Sequence, residues 1–385
     1  MKYNFPEINN LSDILSHIEG CNEFSVIEKD WYTVVNYMVA FENTFYWDSE
    51  RPYGSAMRRE CRGLIFDTAT GQLLSRPYHK FFNVGERDET QLDEIDLNQP
   101  HVVLEKLDGS MIRPIPTPEG FRLGTKAGIT DVAMNAEVFI GDKPEYLNFI
   151  KSSIACSLIP IFEWCSRKNR IVVDYPEDQL ILTAVRDNHT GNYIPYSTLV
   201  ETAKNYNIPV VKAIAGDETD ITKVVEHIRK WDDGEGVVVR FQNGHMVKVK
   251  ADEYVLRHKS KEAISQEKNV INVIVNDSVD DLIPLLTPED ATRLKDFQKA
   301  FWMSVEDVAT DLHDQYQSLN KGETQKDFAL NVQKEIPKYL QNFMFSIHRG
   351  IPIKESLVNQ ITKSLNTQTK VNESRWMWGD LNWNT

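Results

Sequence analysis

The feature that most constrains this chain is a change of hydrophobic period near Ser260. Upstream, apolar and polar residues alternate over short β-branched and aromatic runs, the period of half-buried strands. Downstream the period becomes helical. There Thr287-Pro288-Glu289-Asp290 opens a long helix running to about Leu319, with Thr as N-cap, Pro at the first helical position and acids in the first turn. Two periods in succession predict a sheet-based domain over 1–259 and a helical domain over 260–385, each long enough to bury a core. With 41% hydrophobic and 26% charged residues the composition is that of a soluble globular protein. No apolar run reaches membrane-spanning length, and Met1-Lys2-Tyr3-Asn4 carries no signal-peptide pattern, so a cytoplasmic protein without membrane association is expected. Cys21, Cys61, Cys156 and Cys165 lack C-x-x-C spacing, which suits a reducing compartment and argues against a zinc site or disulfide framework.

In the first part, Ser12 to Glu19 reads as a short helix capped by Ser12, and Trp31 to Phe41 as a strand. Cys61 to Asp67 alternates so that Arg62, Leu64 and Phe66 share a face, where an arginine by itself reads as snorkelling at a sheet edge. Thr130 to Ser157 is mainly helical with a break at Gly141 to Pro144, and Leu158 to Cys165 is a buried strand that carries Glu163. A carboxylate in apolar sequence costs several kcal/mol unless it is paired or bound. Glu163 is therefore either salt-bridged to Arg167 or Arg170, or an acid of a ligand site.

Val102 to Ile115 places Lys106 at the end of an apolar run, followed by Leu107-Asp108-Gly109-Ser110, which reads as a turn between two paired strands. K-x-D-G has two readings, a hairpin with a solvated lysine or a nucleophilic lysine. The second needs help, because a free lysine amine is almost wholly protonated at neutral pH. Burial, cationic neighbours or a metal ion must favour its neutral form.

A second hairpin brings that help. Glu235 to Phe241 and His245 to Lys250 flank Asn243-Gly244, a two-residue type I′ signal. That turn sets Val239 opposite Lys248 and Val237 opposite Lys250, so Glu235, Lys248 and Lys250 emerge on one face. The face suits phosphate plus metal, or is merely solvated. The net charge of −14 disfavours bulk nucleic-acid binding, yet Arg240, Lys248, Lys250, Arg257, Lys259 and Lys261 cluster against only Asp252 and Glu253. Such a local basic surface suits an enzyme that grips phosphates in one cleft.

These segments resemble the covalent nucleotidyltransferase superfamily, and most closely its RNA ligase 1 family of T-even bacteriophages. Lys106-Leu107-Asp108-Gly109-Ser110, Thr125-Lys126-Ala127-Gly128, Phe162-Glu163-Trp164, Leu182 to Asp187, Glu235 to Val239 and Val247 to Lys250 look like its collinear motifs. Tyr37, Glu60-Cys61-Arg62-Gly63, Ser75-Arg76-Pro77, Lys80 to Asn83, Asn169 to Val172 and Thr190-Gly191 look like that subfamily in particular. Ala127 departs from the glycine more usual after the motif lysine, which weakens the transfer for Lys126. The resemblance implies an α+β, antiparallel-sheet nucleotidyltransferase (adenylyltransferase) domain followed by an all-α C-terminal domain that selects the RNA.

The same resemblance implies an ATP-dependent RNA ligase working through lysyl-AMP on Lys106. ATP and Mg²⁺, with Mn²⁺ able to substitute, are the implied cofactors. The implied partner is RNA with 5′-phosphate and 3′-hydroxyl ends, with nicked tRNA the leading substrate, and the implied state is a monomer, in the host cytoplasm if phage-encoded. Arg62, Lys80, Lys248 and Lys250 would hold the triphosphate, Glu163 the ribose and Tyr37 the phosphates, with Glu105 a further cofactor-binding residue. Lys126 would contact the nucleotide or the RNA end. Glu235 would organise a metal ion and Asp280 and Asp281 a second one. The lysines and metal would favour the neutral amine of Lys106. The alternatives are a DNA ligase or RNA guanylyltransferase of the same superfamily, or a non-catalytic RNA-end-binding protein; labelling by ATP, by GTP or by neither separates them.

Overall fold

The computed structural model describes residues 5–41, 43–216, 218–232, 234–319 and 324–383, so Met1 to Asn4 lie outside it. The chain divides into two compact units, Met1–Val255 and Leu256–Thr385.

The first unit is built on three four-stranded sheets. One has the order β1 (Phe24–Glu28), β2 (Tyr32–Tyr37), β3 (Arg62–Asp67), β4 (Leu73–Ser75) and is antiparallel throughout. It packs with α1 (Ser12–Ile18) and α2 (Pro52–Glu60) around Ile14, Met57, Leu64 and Phe66. A second joins β5 (Phe82–Asn83) and β6 (His101–Lys106) to the hairpin β11 (Gly236–Phe241) and β12 (Met246–Lys250) in the order β5-β12-β11-β6; β5 pairs parallel to β12 and the rest is antiparallel. A third has the order β10 (Gln179–Asp187), β9 (Leu158–Cys165), β7 (Ser110–Thr117), β8 (Gly120–Gly124), again antiparallel. The helices α3 (Asp131–Ile140), α4 (Pro144–Ala155) and α5 (Tyr196–Tyr206) bury Ala136, Phe149 and Leu199 against the third sheet. Helix α6 (Ile221–Arg229) buries Val225 and Ile228 against Val237, Val239, Val247 and Val249 of the second.

After Lys250 the regular structure of the described residues is helical: α7 (Asp252–Ala263), α8 (Glu267–Val275), α9 (Val279–Leu282), α10 (Pro288–Leu319), α11 (Gln325–Glu335), α12 (Lys338–His348), α13 (Ile353–Ser364) and α14 (Gln368–Ser374). The unit division falls inside α7. Thr287 caps α10 through its hydroxyl, which accepts from Asp290 N at 3.1 Å. Phe301, Val305 and Leu312 of α10 pack with Leu357, Ile361, Trp378 and Trp383 in the core of the second unit. The tail tryptophans are packing groups: Trp383 Nε1 donates to Ile264 O at 2.7 Å and Trp378 Nε1 to Leu381 O at 3.1 Å. No helix of the described residues is long and apolar enough to cross a membrane.

Several local expectations fail for identifiable reasons. Leu11, not Ser12, is the N-cap of α1; the Ser12 amide and hydroxyl both donate to Asn10 Oδ1 at 3.1 Å. The strand expected over Trp31 to Phe41 spans only Tyr32–Tyr37. Lys106 and Ser110 do not face each other across a hairpin: β6 pairs with β11 and β7 with β9 and β8, so residues 107–109 carry the chain from one sheet to another. Arg62 does not follow the alternation of Leu64 and Phe66, because Gly63 is an extra residue in the pairing of β3 with β2, where Val35 faces Leu64 and Asn36 faces Arg62. Gly63 has φ +96°, and a Cβ there would lie 2.5 Å from Lys126 O, so only glycine fits.

Candidate active site

The hairpin β11–β12 supplies one wall of a cleft of about 280 Å³ in the first unit. Its register differs by one from the two-residue-turn expectation. Phe241 N donates to His245 O and Gly244 N to Phe241 O, making a three-residue loop with Gly244 at φ +89°. Lys248 therefore faces Val238 and Lys250 faces Gly236. Strict alternation would now turn Glu235 away from both lysines. Gly236, at φ +138° and too close to Val249 O to carry a Cβ, breaks that alternation. The Glu235 carboxylate accordingly accepts from Lys106 Nζ at 2.5 Å and pairs with Lys250 Nζ at 2.9 Å.

Across β6, β11 and β12 the cleft face consists of three cross-strand rungs: Lys106–Gly236–Lys250, then Leu104–Val238–Lys248, then Val102–Arg240–Met246. Successive rungs are about 6.7 Å apart. Tyr37, Arg62 and Lys80 also line the cleft, as do Glu105 at the penultimate position of β6 and Glu163 from β9. Lys126 stands at its margin: its Nζ lies 5.1 Å from the Tyr37 ring centroid, and that of Lys80 lies 5.0 Å from it. Asp280 and Asp281 lie in α9 of the second unit and are exposed.

Charge in the cleft is unbalanced, and its ionisable groups record that. Burial pushes the Lys248 ammonium down to about 7, and Lys80, Lys106 and Arg62 add repulsion. Burial alone would raise the Tyr37 phenol, but Lys80, Arg62 and Lys126 together bring it below its ordinary value. Burial lifts the Glu163 carboxyl to about 7; Lys106 opposes the rise and Glu235 adds to it. The salt bridge considered for Glu163 does not form, since Arg167 and Arg170 turn to Asp174 at 3.0 and 3.7 Å. Glu163 faces the ligand space instead.

Two residues with a role here were missed from sequence. Asp108 reads as a turn residue, yet it is 3% exposed. Its carboxylate accepts from Val172 N, Val173 N and the Tyr254 hydroxyl, each at 2.7 Å, anchoring the loop behind Lys106. Arg113 is fully buried, and burial pushes its guanidinium down to about 9. It donates to Thr125 O at 2.8 Å and to Gly63 O, tying the Arg62 strand to the Lys126 loop. The D in K-x-D-G was a visible signal for the first; nothing in the sequence marks the second.

The RNA ligase family model matches residues 60–263, more than half of the chain, and that of the T4 RNA ligase 1 C-terminal domain matches residues 261–374. The chain belongs to the RNA ligase family. A Thermovibrio ammonificans protein, provisionally named an RNA ligase, is 28% identical over 88% of this chain and 89% of its own length. The RNA ligase of Rhodothermus phage RM378 is 24% identical over 71% of this chain and 77% of its own length. Among solved structures, an archaeal ATP-dependent RNA ligase is 14% identical with a TM-score of 0.46, and the match covers 66% of this chain and 65% of that one.

Proposed function

We propose that this RNA ligase family member joins RNA ends by three phosphoryl-centred transfers at the Lys106 cleft. Lys106 Nζ attacks the α-phosphorus of ATP, a P–N bond forms and pyrophosphate leaves. The 5′-phosphate of an RNA then takes AMP from the lysine, and the RNA 3′-hydroxyl displaces AMP to form the phosphodiester. Such transfers need alignment and charge neutralisation more than covalent help. The observation that carries the reading is a lysine on one sheet rung held by Glu235 at 2.5 Å and ringed by Arg62, Lys80 and Lys248.

In this reading Arg62, Lys80, Lys248, Lys250 and Tyr37 take the phosphates, Glu105 and Glu163 the nucleoside, and Lys126 the nucleotide or RNA end. Glu235 and the nearby Glu163 are hard oxygen donors of the kind Mg²⁺ or Mn²⁺ accepts. No group of three His, Cys, Asp or Glu forms a metal cluster among the described residues, so phosphate oxygens and waters would complete the ion's shell. The ion would supply neutralisation of phosphate charge there. Glu235 can serve Lys106 or the ion; when it serves the ion, the amine loses its counter-ion. Asp280 and Asp281 are the candidate holders of a second Mg²⁺. The helical residues 260–385 would select the RNA, with cleaved tRNA the favoured substrate, and the protein would act as a monomer in the cytoplasm.

The test is to incubate the protein with a divalent ion and α-labelled ATP or GTP, then denature it. ATP label should persist through denaturation, be discharged when 5′-phosphorylated RNA is added to the folded protein first, and be absent with Lys106→Ala; GTP should give none. Labelling by GTP would reassign the protein as a capping enzyme, and no labelling as a binding protein. Joining of a cleaved tRNA faster than an unstructured oligonucleotide supports the tRNA substrate, and equal rates remove it.

A further inference from the structure

Beyond the lysines, the cleft face ends on a cation that the three transfers do not use. Arg240, on the third rung, is 6% exposed. Its Nη2 donates to Ile194 O at 3.4 Å, while Nη1 is buried and has no hydrogen-bond partner among the described residues. The surfaces around that end of the cleft are Leu104, Val211, Val238 and Met246. Two hydroxyls also reach it, and both their protons are committed: Thr183 Oγ1 donates to Ile161 O at 2.9 Å and is hydrogen-bonded to Tyr78. A buried donor left without an acceptor is a standing cost, and such a group in a native fold calls for an explanation. Arg240 also lines the cleft, and an acceptor bound there would supply one.

The order of the rungs defines what an occupant meets. At the first rung it meets the reacting amine and its charged neighbours, at the second an apolar platform of Leu104 and Val238, and at the third a lone N–H donor. The third lies about 13 Å along the strands from the first. A purine nucleotide has the same order of parts: phosphate, then a flat apolar ring, then a polar edge far from the ribose. We propose that Arg240 is the residue that reads the base, its Nη1–H donating to ring nitrogen N1. This rests on the phosphates lying at Lys106 as proposed above. Adenine N1 carries a lone pair and accepts. Guanine N1 carries a hydrogen, so guanine sets a donor against a donor, and ATP is selected over GTP.

The experiment is the self-labelling reaction with wild-type protein and a series of ATP analogues, measuring KM and kcat separately. In 1-deaza-ATP a C–H replaces N1; its KM should rise about 10- to 100-fold, the range for one hydrogen bond to a charged group, with kcat little changed. 7-Deaza-ATP, altered on another edge, should stay within about 3-fold of ATP. Arg240→Met should raise the KM for ATP by a similar factor and make it indifferent to 1-deaza substitution, a pattern that general loosening of the fold does not produce. The wild-type series stands even if that variant misfolds. Equal KM for ATP and 1-deaza-ATP, or a loss confined to 7-deaza-ATP, overturns the role of Arg240 while leaving the three-step reading intact. No label from ATP at all overturns both.

Discussion

Two clusters of cationic side chains around a glutamate lie within the first unit, and they are opposites. In one, Glu60 is gripped by Arg186 (Nη2–Oε1 2.7 Å, Nη1–Oε2 2.8 Å) and by Arg76 (Nη2–Oε1 3.0 Å, Nε–Oε2 3.1 Å). The arginines give further donors to carbonyls of Pro6, Pro77, His189 and Gly191, and the three side chains are almost inaccessible. Burial would raise the Glu60 carboxyl, but the two guanidiniums outweigh it and hold it down to about 2. In the other cluster, Arg62, Lys80, Lys106, Lys248 and Lys250 crowd a half-open cleft, and the directly paired carboxylate is that of Glu235. Glu60 and Arg62 are two residues apart in sequence and belong to different clusters. The difference teaches that a network whose donors are met by carboxylate and carbonyls is scaffold, whereas cations crowded into a cleft with few acceptors are a site waiting for anions.

The comparison breaks most sharply at Lys106. Replacing it with alanine should remove at least about 10³-fold of the self-labelling rate, because the nucleophile itself is gone, with the urea midpoint little changed. Glu60→Gln should do the reverse. Leaving Arg76 and Arg186 without their counter-ion should cost about 3–5 kcal/mol in urea unfolding. Its pH signature has a definite sign. The folded carboxyl titrates near 2 against an ordinary 4.5, so its stabilisation is complete above pH 4.5 and is lost as pH falls through about 2. That acid leg should vanish in the variant.

Smaller effects sharpen the contrast. Lys248→Ala should slow labelling by about 10²-fold with an unchanged unfolding midpoint; an equal loss of stability would make the cleft lysines scaffold after all. Glu163→Gln should stabilise. The folded Glu163 carboxyl titrates near 7, above its ordinary 4.5, so the native state holds the proton more tightly and wild-type stability declines as pH rises from 4.5 through 7. Removing that charge should gain about 1 kcal/mol at pH 8, after allowing for water in the cleft, and nothing at pH 4. A loss at pH 8 would place Glu163 among the satisfied groups.

Much of this was legible because local signals agree with one another. The apolar run from Leu158 to Cys165 reads as a buried strand and forms β9, and the Thr287-Pro288 start opens α10. Lys106, Glu163, Glu235, Lys248 and Lys250 were named from pattern and resemblance, and the fold brings them to one cleft. The structure departs from the local pattern at two turns. Asn-Gly does not distinguish a two-residue loop from a three-residue one ending in a left-handed glycine, so the register slipped by one; the non-alternating backbone at Gly236 then returned Glu235 to its lysines. Asp-Gly after Lys106 marks a sheet-to-sheet crossing as readily as a hairpin, because both demand a compact turn.

By itself the sequence determined the two periods, hence a sheet-built part followed by a helical one, and the chemical identity of the groups that could react. These follow from covalent spacing and side-chain type, which are local. Tertiary structure alone decided which charges are spent and which are spare. Whether a guanidinium is satisfied depends on carbonyls and carboxylates more than a hundred residues away, as with Arg186 and Glu60, and no local pattern carries that information.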